Sequence, residues 1–243
     1  MEILAGRAGY DFVSFTGEKY QSLSRFKAGK IKTEIRLKKR DRKIITILSR
    51  IPIVRSFSIL FELMFEYYGR FLFAVIVMFL MEYLFSGTSN SYLLYTIPFS
   101  SLEILLGVLF VAGLIIKITP TGRYHGAEHK IANAYQRDTN LTLEKVKKQP
   151  RTHKYCGTNL VTAFFICFFI LSMIFGDAIW VFLISWILGF ELWRSEPKGI
   201  WSLVLMIGNV AQYLLFTSKP KEKHLMVAIE AITKLEEKEL ASK

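Results

Sequence analysis

Long apolar segments separated by short polar ones occupy most of the chain beyond its first 43 residues. The runs at about 70–85 and 93–118 are candidates for crossing a bilayer core, which takes about 20 apolar residues. The run at 160–193 is too long for one helix, and Gly176-Asp177 divides it into the two arms of a helical hairpin. This pattern predicts about four transmembrane helices.

Three further segments have apolar faces but are not expected to cross the membrane as single helices. Residues 44–68 are interrupted by Pro52 and several charges, which favours a helix lying in the membrane interface. Residues 200–216 contain Gln212, and a span there would export the basic tail, so we expect a re-entrant or interfacial segment. Residues 221–240 predict an amphipathic, charged cytosolic helix.

The N-terminal segment alternates apolar and polar residues and predicts β-structure. Residues 31–38 have one apolar face at a period of two, as in a half-exposed strand. Ala28-Gly29-Lys30 is a plausible hairpin turn from a strand at 20–26. We expect a small cytosolic β-element.

The predicted fold class is mainly α: a polytopic helical membrane protein with about four transmembrane helices, an interfacial helix and a small N-terminal cytosolic β-element. Both termini are predicted to be cytosolic. The segments in chain order are the β-element at 1–43, the interfacial helix and first two spans at 44–118, a cytosolic loop at 119–159, the hairpin with the re-entrant or interfacial segment at 160–216, and the C-terminal helix at 217–243.

Composition and charge agree with a membrane protein. Hydrophobic residues make up 52% of the chain, including 20 Phe, and the net charge is +12. The charge is clustered, with 12 Lys/Arg in residues 25–55 and 9 in residues 117–159. Beside apolar spans, such clusters follow from the positive-inside rule and attract anionic lipid headgroups. We therefore expect membrane lipids as partners and no nucleic acid.

The motif His125-x-x-Glu128-His129 is the strongest chemical signal. On a helix these residues lie on one face, at i, i+3 and i+4. Two imidazoles one turn apart can bind one divalent metal, and Glu128 is the candidate general base. Zinc in such a site lowers the pKa of a bound water to about 7.

The residues that follow can complete this site. Thr142 could cap a short helix that Pro150 ends, so the linker could fold back toward the histidine pair. The linker would bring His153 or Cys156 close to His125 and His129. The thiol of Cys156 stays reduced in the cytosol. Two His with one Cys, or three His with an open position, are both zinc shells, and all four residues together would form a closed structural site.

These residues resemble the signature of the YqhQ-like bacterial membrane proteins, a family of unknown function described as predicted metal-dependent enzymes. The resemblance implies a bacterial cytoplasmic membrane protein with a divalent metal, zinc first, held by His125, His129, His153 and Cys156 beside Glu128. The chain departs from the family pattern near its N-terminus, where residues 5–12 match the family's Gly-Gly-Gln-Ala opening only loosely. The matching segments are residues 51–55, 124–130, 141–146, 153–158, 212–220 and 227–229.

The favoured hypothesis is a metal-dependent hydrolase acting at the cytosolic membrane surface, with its substrate unknown. The alternative is a non-enzymatic integral membrane factor that binds other membrane proteins in insertion, assembly or regulation, with the motif as a structural site. A transporter or channel rests only on Glu82, Glu103 and Glu191, carboxylates within or at the ends of apolar runs.

Overall fold

The chain is mainly helical with a small N-terminal antiparallel sheet. The computed structural model describes residues 3–38, 43–69, 72–73, 76 and 100–242. The strands are β1 (Ala5–Ala8), β2 (Phe12–Thr16), β3 (Tyr20–Lys27) and β4 (Lys30–Leu37). The helices are α1 (Lys43–Leu48), α2 (Arg55–Glu66), α3 (Ser101–Ile118), α4 (Pro120–Arg137), α5 (Leu143–Lys147), α6 (Gly157–Phe175), α7 (Ile179–Ser195), α8 (Ile200–Ala211), a π-helix (Gln212–Phe216) and α9 (Glu222–Leu240).

The sheet has the order β1-β2-β3-β4, with antiparallel neighbours throughout. The predicted hairpin is confirmed: Lys27 pairs with Lys30 across a two-residue turn. Ala28 and Gly29 both have positive φ, 51° and 76°, as in the type I′ turns that match strand twist. Strands β1 and β2 were not predicted, because they are short and lack a regular alternation.

The described residues within 1–40, 107–162 and 196–243 form one compact unit. Its core lies where α9 and α4 pack against the sheet. The predicted C-terminal helix is confirmed, and its fully buried residues Ala228, Ile232 and Leu235 share one face. Each large aliphatic side chain buried here contributes about 1.5–3 kcal/mol. This packing fixes α4, which carries the His125-x-x-Glu128-His129 motif.

A second compact unit covers the described residues within 41–106 and 163–195. The predicted hairpin is confirmed as α6 and α7, and the predicted interfacial segment 44–68 consists of two helices, α1 and α2. The guanidinium of Arg55 donates two hydrogen bonds to Glu191. Glu103 accepts from the Ser100 N–H at the start of α3, at 2.7 Å, whereas Glu82 lies outside the described residues.

Among the described residues, α6 is long and apolar enough to cross a membrane. The described residues contain up to three candidate membrane spans if each of two bent helix pairs, α3 with α4 and α7 with α8, is counted as one span. Apart from residues 72, 73 and 76, the predicted span at 70–85 lies outside the described residues, as do residues 93–99 of the next.

Candidate metal centre

The motif lies on α4, as its spacing predicted. Proline occupies the first helical position, Pro120, where a missing N–H costs nothing. Glu128 and His129 are 6% and 1% exposed, and His125 is half-buried. The three side chains therefore turn toward the interior of the compact unit.

The linker after α4 folds back onto it, as predicted. The Thr142 hydroxyl caps α5 by accepting from the Lys145 N–H at 3.3 Å. The Asn133 side chain on α4 then donates to the carbonyls of Pro150, at 3.1 Å, and Thr152, at 2.9 Å. These contacts hold the returning segment along the helix that carries the histidines.

The fold-back brings His125, His129 and Cys156 together. One possible ligand atom from each lies within 4.8 Å of the other two. The Cys156 Sγ is 3.7 Å from the His125 Nε2, and the two imidazole centroids are 4.3 Å apart. His153 lies beside this group without joining it, with its ring centroid 5.7 Å from that of His129. Of the two predicted completions, the structure favours the one through Cys156.

Backbone carbonyls orient both histidines of α4. The Nδ1 of His125 is 3.1 Å from the Phe216 carbonyl oxygen, and that of His129 is 2.8 Å from the Arg151 carbonyl oxygen. Because a carbonyl only accepts, each Nδ1 carries the proton and each Nε2 keeps its lone pair. Metal-ligating histidines are commonly oriented in this way.

The π-helix positions the loop that carries Cys156. The Gln212 side chain is fully buried and accepts from the His153 N–H at 2.8 Å. It donates to the His153 carbonyl at 3.2 Å and to the Asn159 Oδ1 at 3.0 Å. Sequence reasoning did not give Gln212 this role, although a buried amide in an apolar run signals a polar partner.

Glu128 faces both the histidines and the N-terminal strand β1. Its Oε2 is 3.5 Å from the His129 Nε2. On its other side Gly6 passes so close that a Cβ there would overlap the Glu128 Oε1. Sequence reasoning missed Gly6 as a site residue, and its only signal was the loose match to the family's glycine-containing opening.

Burial favours the neutral forms of these side chains over the charged ones. It raises the pKa of Glu128 to about 8 and raises the pKa of the Cys156 thiol. It also lowers the pKa of His125 and, more strongly, of His129, which His125 further disfavours as a cation. Two neutral imidazoles and a thiol that can lose its proton are a donor set that fits zinc.

The site opens into a cavity of about 620 Å³, within the size range of ligand pockets. Its walls come from the N-terminal segment, α4 and the returning loop. The lining residues are Ile3, Leu4, Ala5, Gly6, His125, Glu128, His129, Ala132, Tyr135, Gln136, Thr139, His153, Tyr155, Cys156 and Gly157.

A known protein family matches the part of the chain that carries His125, His129 and Cys156. The family described as "Protein of unknown function (DUF1385)" matches residues 52–238, which include the whole site except the N-terminal segment. The uncharacterized protein YqhQ of Bacillus subtilis (strain 168) is 31% identical over 146 residues, or 55% of this chain. The aligned part covers 46% of that relative's length. No solved structure matches the chain.

Proposed function

The chain belongs to the family of proteins of unknown function described as DUF1385, and we propose that it is a metal-dependent hydrolase working at the cytosolic surface of a bacterial membrane. The observation that carries the proposal is the convergence of His125, His129 and Cys156 within 4.8 Å. The buried carboxyl of Glu128 lies beside them, and the cavity gives a small substrate room to reach the group.

Three protein ligands are the number that catalytic zinc sites use, because the fourth position stays open. A closed structural site needs a fourth ligand, and His153 was the sequence-level candidate. His153 instead bounds the cavity, 3.4 Å from the Gln136 Nε2 through its own Nε2. This arrangement supports a catalytic rather than a purely structural metal.

Glu128 is the residue proposed to move a proton during hydrolysis. Without a cation nearby its carboxyl holds that proton at neutral pH, because burial raises its pKa to about 8. A divalent cation beside it would lower the pKa and free the carboxylate to accept a proton. Zinc would contribute Lewis acidity toward the bond to be broken. His153 and Gln136 offer the substrate polar contacts from the cavity wall.

A membrane location is proposed from the exposed apolar surface of the helices. On α6, Phe169, Met173 and Ile174 are 52%, 73% and 65% exposed. Apolar surface of this extent belongs in lipid or against another membrane protein. We propose that this surface belongs to a set of about four transmembrane helices, with both termini cytosolic as the distribution of basic residues predicts. The substrate would then be lipid-linked or otherwise associated with the membrane.

The second candidate function is a non-enzymatic factor that binds other membrane proteins. It is favoured by α1, where Ile44 and Ile47 are 57% and 60% exposed without belonging to a span-length helix. In that case a metal held by His125, His129 and Cys156 would stabilise the fold without taking part in a reaction. The two functions differ in what Glu128 must do, since a structural metal site does not use it for proton transfer.

Metal content is the first test of the proposal. Purified wild type should hold about one zinc per chain, and His129→Ala and Cys156→Ser should lose most of it. Cys167→Ser is the matched control, because Cys167 is a free, half-buried cysteine on apolar α6. Metal-free wild type, or equal metal content in all variants, would refute the metal site.

Glu128→Gln then separates the two functions. In a strain that depends on this protein, an enzyme should lose function while the variant keeps its fold and its zinc. Full function of a metal-loaded Glu128→Gln variant would favour the membrane-protein factor instead.

A further inference from the structure

Two cations of the first compact unit converge on one aromatic ring. The guanidinium carbon of Arg151 lies 3.8 Å from the ring centroid of Tyr213, and the Lys117 Nζ lies 5.8 Å from the same centroid. Lys117 is in the last turn of the apolar helix α3, and Tyr213 is in the π-helix. The ring therefore brings two positive charges to the end of an apolar helix.

Neutral groups hold these cations in place. The Lys117 Nζ donates to the carbonyls of Tyr213, at 2.7 Å, and Thr217, at 2.9 Å. Lys130 likewise donates to the carbonyls of Lys147 and Gln149. Carbonyl partners fix the direction of an ammonium group without cancelling its charge. The positive charges of Lys117 and Lys130 are therefore held in fixed positions by the fold itself.

No carboxylate within the described part of the chain forms an ion pair with Lys117, Lys130, Arg151 or Lys219. The Arg151 Nε is buried and lacks a hydrogen-bond partner there. Arg151 and Lys219 both lie close enough to Lys130 to interact with it electrostatically. Like charges held together without counter-charge favour an anion from outside the protein.

Apolar side chains beside these cations indicate which anion fits. On α3, Ile115 and Ile118 are 55% and 77% exposed, and on the π-helix Leu214 is 58% exposed. A free phosphate ion would gain nothing from this surface. A phospholipid presents a phosphate and acyl chains together, and arginine binds phosphate in a bidentate manner.

We propose that Arg151 and Lys117 bind the phosphate of an anionic phospholipid, whose acyl chains lie along the exposed apolar residues of α3 and the π-helix. Lys130 and Lys219 add attraction for a headgroup with net negative charge. The proposal rests on the membrane location proposed above but requires neither zinc nor hydrolysis, so the hydrolase can be refuted while this lipid site stands.

The test uses the full-length protein in non-ionic detergent, with the melting temperature followed as lipid is added. The three ligands are dioleoylphosphatidylglycerol, dioleoylphosphatidylcholine and inorganic phosphate. Wild type should bind the anionic lipid about tenfold more tightly than the zwitterionic one, since charge-assisted contacts contribute on that scale. Inorganic phosphate should give no comparable shift.

The Arg151→Gln/Lys117→Gln variant should lose about tenfold in affinity for the anionic lipid. The Lys27→Gln/Lys30→Gln variant is the matched control, because it removes two charges from exposed residues of the β3–β4 hairpin. It should bind the lipid as wild type does. If the first variant does not fold, Arg151→Lys keeps the charge but loses bidentate geometry, and it should bind several-fold more weakly.

Three results would overturn the proposal. Equal losses in the site and control variants would mean non-specific attraction by the net charge. Equal binding of the two lipids would mean that the phosphate site is not selective for a negatively charged headgroup. Equal binding of inorganic phosphate would identify a free phosphate as the ligand.

Discussion

Gly6→Ala tests the contact between β1 and the buried carboxyl of Glu128. A Cβ at residue 6 would overlap the Glu128 Oε1 and lie 2.8 Å from Cδ and 3.2 Å from Cγ of the same side chain. Glu128 is 6% exposed and bounds the cavity, so its carboxyl can avoid this Cβ only by turning away from β1. Either the carboxyl leaves its place beside His129 or β1 moves away from α4.

The expected loss follows from two opposing effects. Forcing an extra methyl into packed surroundings costs about 1–3 kcal/mol. Replacing glycine by alanine returns about 0.4–1 kcal/mol, because the unfolded chain loses conformational freedom. Gly6→Ala should therefore destabilise the protein by up to about 2.6 kcal/mol, and by about 1.3 kcal/mol at the middle of both ranges. For a chain of this size, the middle value is a drop of about 3–5 °C in melting temperature.

Gly157→Ala is the control, because a Cβ built on Gly157 meets nothing within 4 Å. Its melting temperature should stay level or rise by a few degrees, from about 0.4–1 kcal/mol of stabilisation. In a Glu128→Ala background the overlap is gone, so Gly6→Ala should become neutral or stabilising there. A loss that persists in that background, or that Gly157→Ala shares, would refute the contact.

Three further predictions concern protons and positioning. Because burial raises the pKa of the Cys156 thiol, zinc binding at pH 7 should release its proton, and the apparent affinity measured by calorimetry should fall as pH falls. Gln212→Leu should leave the His153 backbone N–H without its partner, lowering the melting temperature and weakening zinc binding by about 10–100-fold, whereas an unchanged zinc affinity would mean that Gln212 does not support the site. Burial lowers the pKa of His224 to about 4, so below about pH 6.5 this side chain takes up a proton in the unfolded chain but not in the folded one. The free energy of unfolding should therefore fall as the pH falls from about 6.5 to about 4, and it should fall less steeply in the His224→Gln variant.

Local patterns in the sequence predicted much of the fold. The hairpin of β3 and β4 followed from alternation and turn residues, and α9 followed from its amphipathic period. The break at Gly176-Asp177 correctly divided α6 from α7, and Thr142 correctly began α5. Each of these features depends on residues within about one element of each other, where backbone preferences and side-chain period act directly.

The sequence by itself also determined the chemistry available at the centre. The i, i+3, i+4 spacing fixed His125, Glu128 and His129 on one face of a helix, whatever that helix packs against. It offered both His153 and Cys156 as completions and could not choose between them. Both residues follow the same linker, and a linker's course depends on what it packs against.

Only the tertiary structure decided which residue completes the centre and which distant groups hold it. The carbonyl that orients His125 comes from Phe216, 91 residues away, and the Gln212 amide that holds the His153 loop is 59 residues away. Gly6 reaches Glu128 only because α9 and α4 pack on the sheet. These contacts follow from burial of apolar faces, which determines the meeting of distant segments but leaves no periodic trace around the polar residues that meet.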